Sequence, residues 1–198
     1  MMSLPLTRQQ ALALLKKYNT EQTDFNHYLE SEAVMRGLAE HFGLEKEEVE
    51  YWGMLGLLHD VDWGITKENV ATHLKKMPDI LKEAGFDDKF INIILSHGYG
   101  FDELPSLKEK KRTERIEHAL SASETVTGLI HSYALMRGKK VSDMEAKGLM
   151  KKYKDKAFAA KISREIIMEI EKTGLSLEKF FEIAISSIKK IAGEVGLE

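Results

Sequence analysis

Residues 51–64, YWGMLGLLHDVDWG, constrain this chain more than any other stretch. Their first half is apolar at helical spacing, and it stops abruptly at His59 and Asp60, an imidazole and a carboxylate side by side. Neighbouring helical residues point about 100° apart. Both can therefore turn toward one ion only if the helix ends there or a partner element closes over them. A buried helix that delivers two potential ligands at its C-terminus is a rigid mount for a polar site, whereas a solvated helix end more often carries Lys, Asn or Gly. A histidine bonded to its own last turn, with Asp60 capping the next turn, accounts for the pair without any ion.

Three prolines and no long alternation of β-branched residues leave little room for strands, so an all-α chain is expected. Helices are predicted over RQQALALLKKY, opened near Thr7, over about 27–41 up to Gly43, and over about 47–59. Thr66 can cap a fourth, containing His73, with Pro78 in the first turn of a continuation that stops at Gly85. Asp87 or Asp88 opens KFINIILSH, which presents His97 at its end. After the polar, irregular YGFDELPSLKEKKR, a long helix carries Glu124 among small and apolar neighbours. Ser142 and Glu145 are spaced as a capping box for a helix ending near Tyr153, and AAKISREIIMEIEK and LEKFFEIAISSIKKIAGEV, the latter capped by Ser176, complete the chain.

A length of 198 residues with 43% hydrophobic content suits one core, and no repeat or dividing linker interrupts it. One helical domain over 1–198 is expected, with a polar-site core at about 20–137 and C-terminal helices at 141–195 packed on it. No window is apolar enough to span a membrane, and the first residues do not read as a signal peptide, so a cytoplasmic location is expected. The absence of cysteine excludes disulfides and thiol catalysis, leaving His and carboxylate oxygens for any metal. A formal charge of −3 argues against a long nucleic acid as partner, but not against a local pocket for one small anion.

The informative polar residues are those inside apolar patterns. His27, His59, Asp60 and Glu124 lie far apart in sequence, yet compact helical packing could bring them together as two imidazoles and two carboxylates, a set suited to a divalent transition metal. Glu124 weighs most, because a carboxylate is seldom buried unpaired. Taken one at a time, these histidines, and His41, His118 and His131 with them, read equally as ordinary core or surface residues.

The ordered set HYLESEAVMRGLAEHFG, LLHDVDWG, THL, NIILSHG, HALSASETVTGLIHSYALMR and KYKDKAFAAKISRE resembles the HD-domain superfamily of metal-dependent phosphohydrolases, closest to small stand-alone bacterial-type members. The resemblance implies a compact helical bundle, a divalent metal (Fe, Mn, Zn, Ni, Co or Mg) and hydrolysis of a small phosphate monoester or nucleotide. It assigns His27, His59 and Asp60 as metal ligands and puts Glu124 where the family has an Asp. His73 and His97 match extra histidines that hold a second metal or contact phosphate. Asp62 could orient or deprotonate the attacking water, or cap a turn before Gly64. Lys154, Lys156 and Arg164 could attract phosphate or form a solvated face. The Glu124 departure leaves a degenerate metal- and phosphate-binding module open, and the C-terminal FFEIAISSIKKIAGEV offers a face for a signalling protein or a homodimer, though core packing also explains it.

Overall fold

In the computed structural model, which describes residues 4–198, every regular element is helical and no strand occurs among the described residues. Helix α1 (Arg8–Tyr18) opens on Thr7, whose hydroxyl accepts from the Gln10 backbone N–H, and closes at Asn19. Helices α2 (Gln22–His41) and α3 (Lys46–Leu58) form the central pair. A short α4 (Trp63–Thr66) and a 3-10 segment (Lys67–Thr72) lead to α5 (Met77–Glu83), with Pro78 in its first turn, and then to α6 (Asp88–Leu95), capped by Asp87. The long α7 (Arg115–Met136) packs along α2. It is followed by α8 (Ala146–Lys154), α9 (Arg164–Met168), a 3-10 turn (Glu169–Thr173), α10 (Leu177–Lys190) and α11 (Ala192–Val195).

One contiguous apolar core runs from Leu15 and Tyr28 through Leu55, Leu58 and Val126 to Phe180, Phe181 and Ile188. The faces of α10 and α6 are strongly segregated, with Phe180, Phe181, Ala184 and Ile188 on α10 and Phe90, Ile91 and Ile94 on α6 turned inward. The C-terminal FFEIAISSIKK face is thus core, packed against α2 and α8.

Four local expectations are corrected. Helix α2 starts five residues before His27, because Phe25 packs edge-on against Tyr28 and Lys67 pairs with Glu21 and Asp24. The polar run thereby acquires an apolar anchor and a charge partner. His73 lies outside any helix, at φ −57°, ψ 142°: Asn69 leaves the helical region at φ −141°, and Thr66, rather than capping, bonds back to the Asp62 carbonyl. Ser142 sits in a turn held by the Val141 N–H bond to the Leu197 carbonyl, so α8 starts at Ala146 behind Glu145. Residues 156–162 form turns rather than helix, with Ala159 at φ 45° and the Arg164 guanidinium donating to the Ala159 and Ile162 carbonyls at 2.7 Å.

Candidate metal centre

The centre begins where α2 and α3 come closest. A Cβ on Gly56 would lie 2.6 Å from the Ser31 carbonyl oxygen, so the two backbones touch there and only glycine fits. Ser31 lies about one turn after His27, and Gly56 about one turn before His59. The contact therefore delivers both imidazoles to one place. Their Nε2 atoms face each other at 3.0 Å, and Asp60 Oδ2 lies 3.8 Å from the first and 3.4 Å from the second.

The other oxygen of Asp60 serves a second pair. His73 Nε2 lies 3.2 Å and His97 Nε2 3.3 Å from Asp60 Oδ1, and the two rings approach at 3.4 Å. Two donor clusters result, His27–His59–Asp60 and Asp60–His73–His97, joined by one carboxylate.

The far side of each ring decides what the near side can do. Nδ1 of His59 donates to the Gly56 carbonyl at 2.8 Å, and Nδ1 of His97 to the Ile94 carbonyl at 2.7 Å. Nδ1 of His73 faces Asp62 Oδ1 at 3.0 Å. Nδ1 of His27 meets the Thr127 hydroxyl at 2.9 Å, and that hydroxyl gives its own proton to the Glu124 carbonyl, so it must accept from the ring. With all four Nδ1 atoms used as donors, four neutral rings would turn Nε2 lone pairs inward, two against two at hydrogen-bond distance with no proton to share. A cation shared by each facing pair removes that conflict, and imidazole with carboxylate suits a divalent transition metal.

The family profile described as HD domain matches residues 24–132, more than half of the chain. The chain belongs to the HD-domain family. No curated protein and no solved structure matches it.

Electrostatics in this HD domain follow from the shared carboxylate. Burial alone would raise the Asp60 pKa, but the His59 contact and bonds from His73 and His97 hold it well below the usual range. Burial pushes His27 down to about 4 and also lowers His97. Burial opposes charge on His73 as well, yet Asp60 and Asp62 outweigh it and lift that ring to about 10, and Asp60 likewise raises His59. A cluster that favours a proton on one of its rings favours a dication more, and binding one releases the proton.

Three clamps outside the donor set hold it. Asn19, buried at the end of α1, donates to the Leu15 and Val61 carbonyls at 3.1 and 3.0 Å and accepts from Tyr28 Oη and the Gly64 N–H at 2.8 and 2.7 Å. It thus ties the neighbour of His27 to the turn that carries Asp60. Arg112 donates from Nη1 to the Ser96 and Tyr99 carbonyls at 2.8 and 2.9 Å, fixing the turn that presents His97, and pairs bidentately with Glu169 at 2.7 and 2.8 Å. Glu169 also bonds His118 at 2.7 Å. Asp62 is the third clamp. It is 0% exposed, and besides His73 its carboxylate accepts from the Lys76 and Met77 N–H groups at 3.2 and 3.1 Å.

The residues singled out from sequence fall into three groups. His27, His59, Asp60, His73 and His97 come together in the two clusters. Glu124 stands nearby, coupled electrostatically to His59 and Asp60, but belongs to neither cluster; burial pushes its carboxyl up to about 7, and Thr125 donates to it. Lys154 and Lys156 are exposed, and the Arg164 guanidinium is committed to backbone carbonyls. Asn19, Thr127, Arg112 and Glu169 were not singled out from sequence. Only Thr127 carried a signal, lying three residues after Glu124 on the same helix.

Proposed function

We propose that this HD domain is a metal-dependent phosphohydrolase acting in the cytoplasm on a small phosphate monoester or nucleotide. The observation that carries the reading is the convergence of four imidazole Nε2 atoms, each fixed in tautomer from behind, on the two oxygens of Asp60. His27, His59 and Asp60 would hold one divalent ion, and Asp60, His73 and His97 a second. When bound, the ions supply Lewis-acid polarisation of the phosphoryl group and a more acidic water.

The chain's own residues do the rest. Asp62 keeps Nδ1 of His73 protonated and its Nε2 turned toward Asp60, a positioning role that its full burial and the three polar contacts of its carboxylate favour over direct proton handling. Glu124, half-buried and shifted to about 7, is the carboxyl suited to take up or give a proton near neutrality. Arg112 and Thr127 preserve ring orientation through His97 and His27.

The test is elemental analysis together with phosphate release from a library of phosphometabolites and nucleotides, run with each of the six metals, on wild type, H59A and D60A. Bound metal and metal-dependent release are expected in wild type; folded H59A should keep about one ion and folded D60A less than one, with release lost in both. Unchanged metal content in both variants refutes the centre. Full loading without turnover across the library turns the reading to a metal- and phosphate-binding module.

A further inference from the structure

A cleft of about 650 Å³ opens against His27 and Thr127, beside the first donor cluster. Its near wall comes from residues inside the family match, with Glu30 on α2 and His131 on α7. Its far wall comes from residues outside the match: Leu135, Lys139, Ile162 and the tail at Val195, Gly196 and Leu197. The tail is held in place by the Asn26 side chain donating to the Val195 carbonyl at 3.1 Å and by the Leu197 carbonyl accepting from Val141 at 3.1 Å. The part of the chain shared with the family thus supplies the metal donors, and the remainder closes a space next to them.

The chemistry of the lining is selective. Glu30, almost fully buried, accepts from Nδ1 of His131 at 3.0 Å, so the two charges cancel and the other ring nitrogen has no protein partner among the described residues. Thr23 and Ser132 also line the cleft, and their hydroxyls make no protein hydrogen bond among the described residues. Among the described residues, Lys139 is the only other charged group in the lining. A second phosphate on the ligand would meet one lysine and a buried carboxylate, where such groups call for clustered Arg or Lys. A purely apolar group would cover the hydroxyls and the imidazole without bonding them, which costs heavily wherever a site is built for hydrogen bonds. Leu135, half exposed at 50%, and Ile162 offer apolar surface for C–H faces.

We propose that this cleft receives the leaving group of the phosphoester, and that the leaving group is an uncharged, hydroxyl-bearing alcohol such as a sugar or nucleoside. This rests on the hydrolase reading above. Water is the only co-reactant: the ester P–O bond breaks, a P–O bond to the water oxygen forms, one water proton ends on the alcohol and the other on phosphate.

The experiment uses the full chain loaded with Mn²⁺. It compares kcat/KM for ribose 5-phosphate and adenosine 5′-monophosphate with that for cyclohexylmethyl phosphate, a primary-alcohol ester without hydroxyls, and for adenosine 5′-diphosphate. Wild type is expected to favour the hydroxyl-bearing monoesters by at least tenfold. S132W, which fills the cleft, should cut that preference at least tenfold at unchanged metal content. The T23V/S132A double variant, which removes only hydroxyls, should move the ratio the same way and carries the test if S132W fails to fold. A ratio unchanged in folded, metal-loaded variants, or a preference for the cyclohexyl ester or the diphosphate, overturns the proposal. If wild type hydrolyses none of these, the hydrolase reading fails separately, and calorimetric titration with ribose 5-phosphate decides the cleft: binding lost in S132W sustains it, and no binding overturns it.

Discussion

Replacing Gly56 with alanine should loosen the first donor cluster while sparing the second. The new Cβ would lie 2.6 Å from the Ser31 carbonyl oxygen, 2.8 Å from its carbon and 2.9 Å from the Glu32 nitrogen, all backbone atoms that cannot rotate away. A carbon–oxygen contact settles at about 3.3 Å, so α2 and α3 must part by about 0.7 Å. Overpacking of this kind costs about 1–3 kcal/mol, and alanine returns about 1 kcal/mol of helix propensity. The net loss is about 0–2 kcal/mol, which for a chain of this size lowers Tm by at most about 8 °C. The larger effect falls on the metal, since donor positions tolerate errors of only about 0.2 Å and His27 and His59 ride on the two helices being separated. Affinity at that cluster should drop roughly 10–100-fold, the range seen for outer-shell changes, while Asp60, His73 and His97, which do not span the contact, keep theirs. Calorimetric titration with Mn²⁺ alongside thermal unfolding separates the two effects. Equal weakening of both sites, or unchanged metal affinity with the predicted fall in Tm, would refute the reasoning.

Deleting the shared carboxylate should empty both sites, whereas deleting one outer histidine should empty one. D60N is expected to retain less than one ion per chain and H97A about one, by elemental analysis after gentle desalting, and a D60N protein with one tightly held ion would contradict the bridging geometry. Glu169 gives the pH dependence. Burial acts to raise its pKa, but Arg112 and His118 hold it down to about 2 from an ordinary 4.5. A depressed carboxylate contributes its stability above the unfolded-state pKa and loses it as pH falls through the folded one, so about 3 kcal/mol should disappear between about pH 4.5 and 2. E169Q should be less stable than wild type at neutral pH, with the gap narrowing toward pH 2 in urea titrations; a constant gap would show that this carboxylate is not the source.

The helical class and the apolar helix that ends at His59 were legible because each is written locally, whereas the donors, ordinary one at a time, stood out only as an ordered set along the chain. Apolar spacing marks the helices, and His59, Asp60 and His97 stand at the ends of apolar runs. Where local signals competed, the sequence misled: the polar residues ahead of His27 looked like a turn, but Phe25 packs on Tyr28 and the distant Lys67 pairs with Asp24, and the helix drawn through His73 gave way to a bend because Asp62 captures the Lys76 and Met77 N–H groups. Glu124 was placed near the centre by its apolar setting, yet its membership of the ligand set depended on a side-chain torsion that spacing does not contain. Asn19, Arg112 and Glu169 were invisible because nothing in their neighbourhoods announces partners so far along the chain.

Those separations bear on how the centre comes into being. Asn19 grips a carbonyl 42 residues away, Arg112 a carboxylate 57 residues away, and His27 a hydroxyl 100 residues away. Loop closure over such spans comes late in folding, after local helices have formed. On a ribosome delivering the chain from its N-terminus, all five donors emerge before Thr127, and His97 is presented well before Glu169 arrives to lock Arg112. A nascent chain therefore displays unrestrained imidazoles first and a shaped centre last, so the metal that remains is chosen by the finished geometry and not by whichever ion met the histidines earliest.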